Sequence, residues 1–247
     1  MIALAIVGII AALTIPVLYA DYQRSLQEIA IKKNYNEFGN LVALAMTDHP
    51  ASSFPQSRIA HTDQVTDVLP DGTTSTFSNG AEWFLKTYFS VTFDCGTDAT
   101  SCFADSYKNV NGDAGDFTCD GYAVKIKDGA AICMIAPQNI PLRPFNPKGG
   151  LVGNGGIIVN PGIPIGGGGS IDIGGGDLSP PDDSNGVFID INGAAPPNIG
   201  GRDMFYFQIL DDGSLTQTAA DINTCKDSPF GDGCLGMLIQ DDWKMNY

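Results

Sequence analysis

The first twenty residues, MIALAIVGIIAALTIPVLYA (Met1–Ala20), carry no charge, and Thr14 and Tyr19 hold their only polar side-chain groups. As a helix rising about 1.5 Å per residue, this stretch is about 30 Å long, the thickness of a bilayer's hydrocarbon core. It contains Gly8 and Pro16, which a spanning helix tolerates where neighbouring helices or local unwinding satisfy the freed backbone groups. The helical pattern continues beyond the uncharged run. Ile31, Tyr35, Phe38, Val42 and Ala45 recur at spacings of 4, 3, 4 and 3 among the charges of Asp21, Arg24, Glu28, Lys32, Lys33 and Glu37, an amphipathic stripe. One helix from Met1 to about Met46 is expected, ended by His49-Pro50 because the residue before a proline is pushed out of the α region. Its apolar half must lie in lipid or against copies of itself, and its one-sided half must be covered by a globular domain.

The chain has 247 residues. The division expected is a helical segment over 1–50, with 1–20 as the part that lies in lipid or against copies of itself, and a head domain over 51–247. Thirteen Lys and Arg against 28 Asp and Glu give a net charge of −15, which argues against a nucleic-acid partner, since that needs a basic face. Six cysteines stand at Cys95, Cys102, Cys119, Cys133, Cys225 and Cys234, with no C-x-x-C spacing. That disfavours thioredoxin-like redox chemistry, c-type haem and zinc ribbons. Six cysteines allow 15 pairings. A sequential set, Cys95–Cys102, Cys119–Cys133 and Cys225–Cys234, closes three short loops, and the middle pair fits opposite strands of a hairpin.

Along the head, Ala51–Gly80 reads as a polar connecting loop and Ala81–Tyr88 as a short helix after Ser78-Asn79-Gly80. Asp94–Asp120 reads as a loop stapled by cysteines. Tyr122–Ile126 and Ala131–Ile135 flank Lys127-Asp128-Gly129, a hairpin signal. Gly149–Gly176 holds 13 glycines in 28 residues without a strict period, so it is not collagen-like. Its nine aliphatic residues, Leu151 through Ile173, suit an arm packed on its own domain or on a neighbour better than a bare linker. Val187–Ile191, Met204–Leu210, Ser214–Thr218 and Leu235–Gln240 read as strands. The fold expected is α+β: a long N-terminal helix packed on an antiparallel sheet of four to six strands, with disulfide-pinned loops and a glycine-rich insertion.

Catalytic patterns are missing. His49 and His61 are the only histidines, and neither H-E-x-x-H nor G-x-S-x-G occurs, so no enzyme activity is expected. One metal arrangement stands out: Asp190, Asn192 and, ten residues after the Asn192-Gly193 turn, Asp203. Three oxygen-bearing side chains around a bent loop suit calcium, although Asx-turns bonded to their own backbone produce the same pattern. Asn109, Asn111, Asp113 and Asp116 form a weaker cluster.

The run AIVGIIAALTIPVLYADYQRS, with Gly8, Ala11-Ala12, Pro16 and the Tyr22-Gln23 pair, resembles the N-terminal segment of type IV pilins and type II secretion pseudopilins. More loosely, GRDMFYF at Gly201–Phe207 and GCLGMLIQDDWKMNY at Gly233–Tyr247 resemble the tails of large prepilin-like proteins. Aligned on Gly8 and Pro16, the family's N-methylated aromatic first residue, its glutamate and its basic leader all fall upstream of Met1. The expectation is therefore a chain whose family start precedes Met1. Arg24, Lys32 and Lys33 taken alone would place the head in the cytoplasm; a basic leader reverses that orientation. The resemblance implies a structural subunit polymerising into an extracellular type IV pilus-like filament, with adhesion among the roles such fibres serve. Ile6, Gly8, Ile9, Leu13 and Pro16 would lie in the filament core. The partners implied are further copies of the chain in a helical homopolymer, the inner membrane before assembly, and the pilus or secretion machinery. Some major pseudopilins hold calcium in a loop near the C-terminal sheet. The alternatives are a pseudopilin driving protein secretion and a membrane-anchored extracellular binding protein.

Overall fold

A computed structural model of the chain describes residues 2–69, 72–135, 186–216 and 222–247, with the side chains of 2–11, 13, 15, 17, 222 and 223 outside the description. The expected glycine-rich arm at 149–176 lies outside the described residues. The chain opens with α1 (Ile2–Asp48), one helix with Pro16 inside it, ending immediately before His49-Pro50. A hairpin of β1 (Val65–Val68) and β2 (Thr74–Phe77) leads to α2 (Gly80–Tyr88) and β3 (Val91–Gly96). A second hairpin, β4 (Ser106–Lys108) and β5 (Ala114–Asp116), precedes β6 (Tyr122–Ile126) and β7 (Ala131–Ile135). Then come β8 (Gly186–Asp190), β9 (Met204–Gln208), α3 (Ile222–Asp227) and α4 (Cys234–Gln240).

Five strands form the main sheet in the order β3-β6-β7-β8-β9, with every neighbouring pair antiparallel. The architecture is α+β: a long N-terminal helix plus an antiparallel sheet. Period-2 alternation sorts the strands' side chains onto two faces. One face offers Val124, Ile126, Ile132, Met134, Val187, Ile189, Phe205 and Phe207 to the same core as the α1 stripe. Ile31, Phe38 and Val42 are fully buried there. Phe38 sits among three aromatic rings, with centroids 5.5 Å from Phe84, 5.6 Å from Phe89 and 5.3 Å from Phe207. The opposite face carries Ala123, Ala131, Cys133, Ile135 and Phe188, covered by Phe103, Tyr107 and Phe117. The strands are therefore buried on both sides, and the head has three layers.

Local chemistry explains α2. The Asn79 side chain accepts the Glu82 N–H at 2.8 Å, and the Glu82 carboxylate accepts the Ser78 N–H at 2.6 Å. Two orphan donors are thus satisfied at the helix start. Gly80 is required by a close approach, since a Cβ there would lie 2.0 Å from the Arg58 carbonyl oxygen.

The three disulfides are Cys95–Cys102, Cys119–Cys133 and Cys225–Cys234, the sequential set. They do not all lie where expected. Cys133 is on β7 opposite Ala123 of β6, while Cys119 stands in the loop before β6. The bond therefore pins that loop to the sheet and does not cross a hairpin.

Several element expectations are corrected. Ala51–Gly80 is not plain loop: it holds two 3-10 turns, Phe54–Gln56 and Arg58–Ala60, and the β1–β2 hairpin. Asp94–Asp120 contains the end of β3 and the β4–β5 hairpin. Leu235–Gln240 is the helix α4, not a strand. Its buried residues Cys234, Leu235 and Leu238 follow helical spacing, and a six-residue apolar run cannot reveal its period by itself. Of the strand expected at Ser214–Thr218, residues 214–216 hold one bridge, Ile209 to Leu215, and residues 217 and 218 lie outside the described residues.

Candidate functional site

The two places singled out by sequence are the long helix and the loop between β8 and β9. On α1, the face toward the sheet begins at Glu28 and Ile31. Before that face and beside its start, the helix presents apolar side chains to solvent: Leu18 is 67 % exposed, Tyr22 60 % and Ile29 64 %, with Tyr19 and Leu26 among them. Pro16 is also exposed. Ile6, Gly8, Ile9 and Leu13 have helical backbone, but their side chains lie outside the described residues. Among the described residues, no helix is long and apolar enough to cross a membrane.

The junction where α1 meets the head is held by the C-terminal residues. Glu28, 7 % exposed, accepts the Met245 N–H at 2.9 Å and the Lys244 ammonium at 2.8 Å. Burial alone would raise the Glu28 pKa, but the bonds from Lys244 and Met245 outweigh it and hold it below the ordinary carboxylate value. Tyr35 meets Trp243 at 5.6 Å, and Arg202 donates to the Tyr247 carbonyl oxygen at 2.6 Å. No sequence signal marks Glu28 as more than one charge on a helix; only the fold brings it to residues more than 200 positions away.

In the β8–β9 loop, Asp190 and Asp203 are both fully buried. Asp190 ends β8 opposite Met204, the first residue of β9, which brings Asp203 alongside. The two Asp203 oxygens accept the N–H groups of Ile199 at 2.6 Å and Asn198 at 2.7 Å. Asp190 accepts the Asn192 N–H at 3.0 Å through one oxygen and the Tyr107 hydroxyl through the other. Tyr107, in β4, is fully buried and accepts the Ala104 N–H at 3.2 Å. Gly193 takes the left-handed conformation (φ 64°) that closes the turn. Burial, then the neighbouring Asp203 charge, pushes the Asp190 pKa up to about 8; burial pushes Asp203 up to about 6. Tyr107 is raised for the same reasons, burial first and then the Asp190 charge.

This geometry bears on calcium. Both carboxylates already accept hydrogen bonds from inside the chain. The Asn192 amide nitrogen donates to the carbonyl oxygens of Ala195 at 2.7 Å and Pro196 at 3.1 Å. The side-chain oxygens of Asn192 and Asn198 have no hydrogen-bond partner, but two amide oxygens fall well short of the six to eight that calcium takes. Among the described residues, no group of three or more His, Cys, Asp or Glu is placed to hold a metal ion. The residues present fit an internally bonded acid lock better than a cation site. In the weaker cluster, Asn109 and Asp113 close a turn, with the Asp113 N–H donated to the Asn109 side chain at 2.8 Å. Asn111 turns away to Asp227 at 3.0 Å. Tyr107 and Asn198 were not recognisable as members of this network, because β4 contributes Tyr107 from 83 positions earlier in the chain.

A cleft of about 280 Å³ lies over the disulfide-pinned loops, lined by Asp98, Phe103, Asp105, Phe117 and Asp120. Phe103 and Phe117 are themselves buried, so the cleft offers no open aromatic platform. Compared with known proteins, the chain matches no family model, no curated protein and no solved structure.

Proposed function

We propose that the chain is a structural subunit of a type IV pilus-like filament, acting by assembly and not by catalysis. The observation that carries this reading is the division of α1. From Ile31 onward its stripe is buried by the sheet, while from Leu18 to Ile29 apolar side chains stay exposed, in line with the uncharged run before them. Burying that surface against copies of the same helix would remove it from water. A surface repeated head to tail in this way propagates into a helical polymer without closing. Before assembly the uncharged half would hold the subunit in the inner membrane, to be extracted by the pilus machinery into an extracellular filament. The disulfides suit an oxidising compartment outside the cytoplasm. The acidic head would coat the outside of the fibre.

The test is to shear cells, pellet the released material and image it by electron microscopy with an antibody to the head. Long labelled filaments at native expression support a pilin. Retention in the membrane fraction without filaments favours the pseudopilin or the simple anchored binding protein.

A further inference from the structure

We propose that Asn111 is a site of spontaneous deamidation, and that its conversion to aspartate or isoaspartate releases the β4–β5 turn from the end of α3. The reaction needs only the chain and water. The main-chain nitrogen of Gly112 loses its proton to solvent base and attacks Cγ of the Asn111 side chain. The new N–C bond closes a five-membered imide, the bond from Cγ to Nδ2 breaks, and ammonia leaves with a proton taken from water. Water then opens the imide at one of its two carbonyls, giving aspartate or isoaspartate. A glycine after the asparagine favours the first step, because no side chain hinders its nitrogen and its backbone turns freely.

Five Asn-Gly pairs occur in the chain, and three of them, Asn79-Gly80, Asn111-Gly112 and Asn192-Gly193, have both residues described. The fold separates these three. Asn111 and Gly112 are both exposed, and a Cβ on Gly112 would meet nothing within 4 Å, so the ring has room to form. Three hydrogen bonds must open first. The Gly112 N–H donates to the Asn109 carbonyl oxygen at 3.0 Å, and the Asn111 amide nitrogen donates to the Asp227 carboxylate at 3.0 Å and the Lys226 carbonyl oxygen at 3.4 Å. Asn111, Gly112 and Asp227 all face solvent, where water replaces such partners and the opening stays local.

The other two pairs are built into the fold. Gly80 is buried, its N–H is held by the His61 carbonyl oxygen at 2.7 Å, and the Asn79 side chain caps α2. Gly193 is buried too, and a Cβ there would lie 3.2 Å from the Cys102 carbonyl oxygen and 3.3 Å from both the Gly129 carbonyl oxygen and the Lys125 ammonium. Cyclisation at either pair requires packed structure to open.

The product reverses the contact at Asn111. An amide that donates to the Asp227 carboxylate becomes a second carboxylate facing it, with Asp113 on the same turn. Like charges at that distance repel, and isoaspartate also lengthens the main chain. Two ties remain farther back: the Asn109 amide nitrogen donates to the Asp227 carbonyl oxygen at 3.3 Å, and Gly115 lies so close to Pro229 that a Cβ there would stand 2.8 Å from its Cγ. The turn therefore lets go of α3 while the hairpin stays docked.

The full-length chain in detergent is aged in mildly alkaline buffer, and peptide mapping by mass spectrometry follows Asn79, Asn111 and Asn192. The expected result is conversion at Asn111 about tenfold faster than at the other two, set by the extra opening they need. Equal rates, or a faster Asn79 or Asn192, would overturn the site. The release is read by amide hydrogen exchange in Asn111→Asp, which carries the product's charge from the outset, and in the aged wild-type chain separated by charge. Exchange should rise about threefold in residues 109–113 and 224–227 and stay unchanged in β6 and β7. Asn111→Gln, which keeps the amide and closes a ring far more slowly, should match the unaged wild type. Unchanged exchange in both acidic forms, or an equal rise throughout the head, overturns the release.

Discussion

The carboxylate of Glu28 accepts the main-chain N–H of Met245 at 2.9 Å, across 217 positions of the chain. This bond ties the point where α1 enters the head to the C-terminal residues that cross it. Glu28→Ala leaves that buried N–H without its acceptor, and we expect a loss of about 1–3 kcal/mol in urea unfolding. Glu28→Gln keeps an acceptor and loses only the half-exposed Lys244 contact, which is expected to cost less than about 1 kcal/mol. Equal losses in the two variants would show that the ion pair matters and the main-chain bond does not.

The buried acids set the alkaline limb of stability. The Asp190 pKa stands near 8 in the fold against 3.8 as its ordinary value. Its folded pKa is raised, so its contribution is complete below pH 3.8 and is lost as the pH climbs through 8. The head is expected to lose on the order of 3 kcal/mol between about pH 5 and pH 9. Asp190→Asn, neutral at every pH, should flatten that limb. A wild-type melting curve independent of pH over this range would contradict the lock. EGTA should leave the midpoint unchanged if hydrogen bonds alone hold the loop; a lower midpoint in EGTA would restore calcium to it.

An acid limb comes from carboxylates whose pKa is lowered. Asp67 is half-buried, which works against ionisation, but bonds from Trp83 and Arg58 prevail and hold it below 3.8. Glu82 and Asp94 are likewise held down, each by Lys86 against burial. Such groups contribute stability above their ordinary pKa and lose it as the pH falls through the folded value. Lys86→Met should therefore make the wild-type decline below about pH 4 shallower. An unchanged acid limb in that variant would remove the Lys86 network as its cause.

Phe38 is the stripe residue with the most to lose. It is fully buried among Phe84, Phe89 and Phe207, and Phe38→Ala should cost about 3–5 kcal/mol in chemical denaturation. By contrast, Tyr22→Ser and Ile29→Ser touch exposed positions and should change head stability by less than about 0.5 kcal/mol. If α1 is the assembly surface, those two variants abolish filaments while the head keeps its melting temperature. Normal filaments from the double variant would exclude that stripe.

The Cys119–Cys133 bond closes a loop with a sequence separation of 14, and its replacement by alanines should cost about 3 kcal/mol. Because Cys119 anchors the loop over Phe103 and Phe117, amide exchange should rise in residues 117–121 before it rises in β7. Uniform exchange across both would mean that the bond holds the sheet and not the loop.

Elements whose signals are local could be read from the residues alone. The α1 stripe from Ile31 to Ala45 is written in a 3.6-residue period, the end of α1 in His49-Pro50, and the β6–β7 hairpin in Asp128-Gly129. These signals need no distant partner to be read. Tertiary structure alone decided the rest. Whether Leu235–Gln240 became strand or helix depended on a short apolar run choosing between two periods, and packing beside α3 with a bond to Cys225 settled it as α4. The acid loop shows the same limit. Asp190, Asn192 and Asp203 were visible as an oxygen-rich bend, but their chemistry hinged on Tyr107. A buried carboxylate's state is set by what replaces its lost water, and that replacement arrives from a strand the local sequence cannot name.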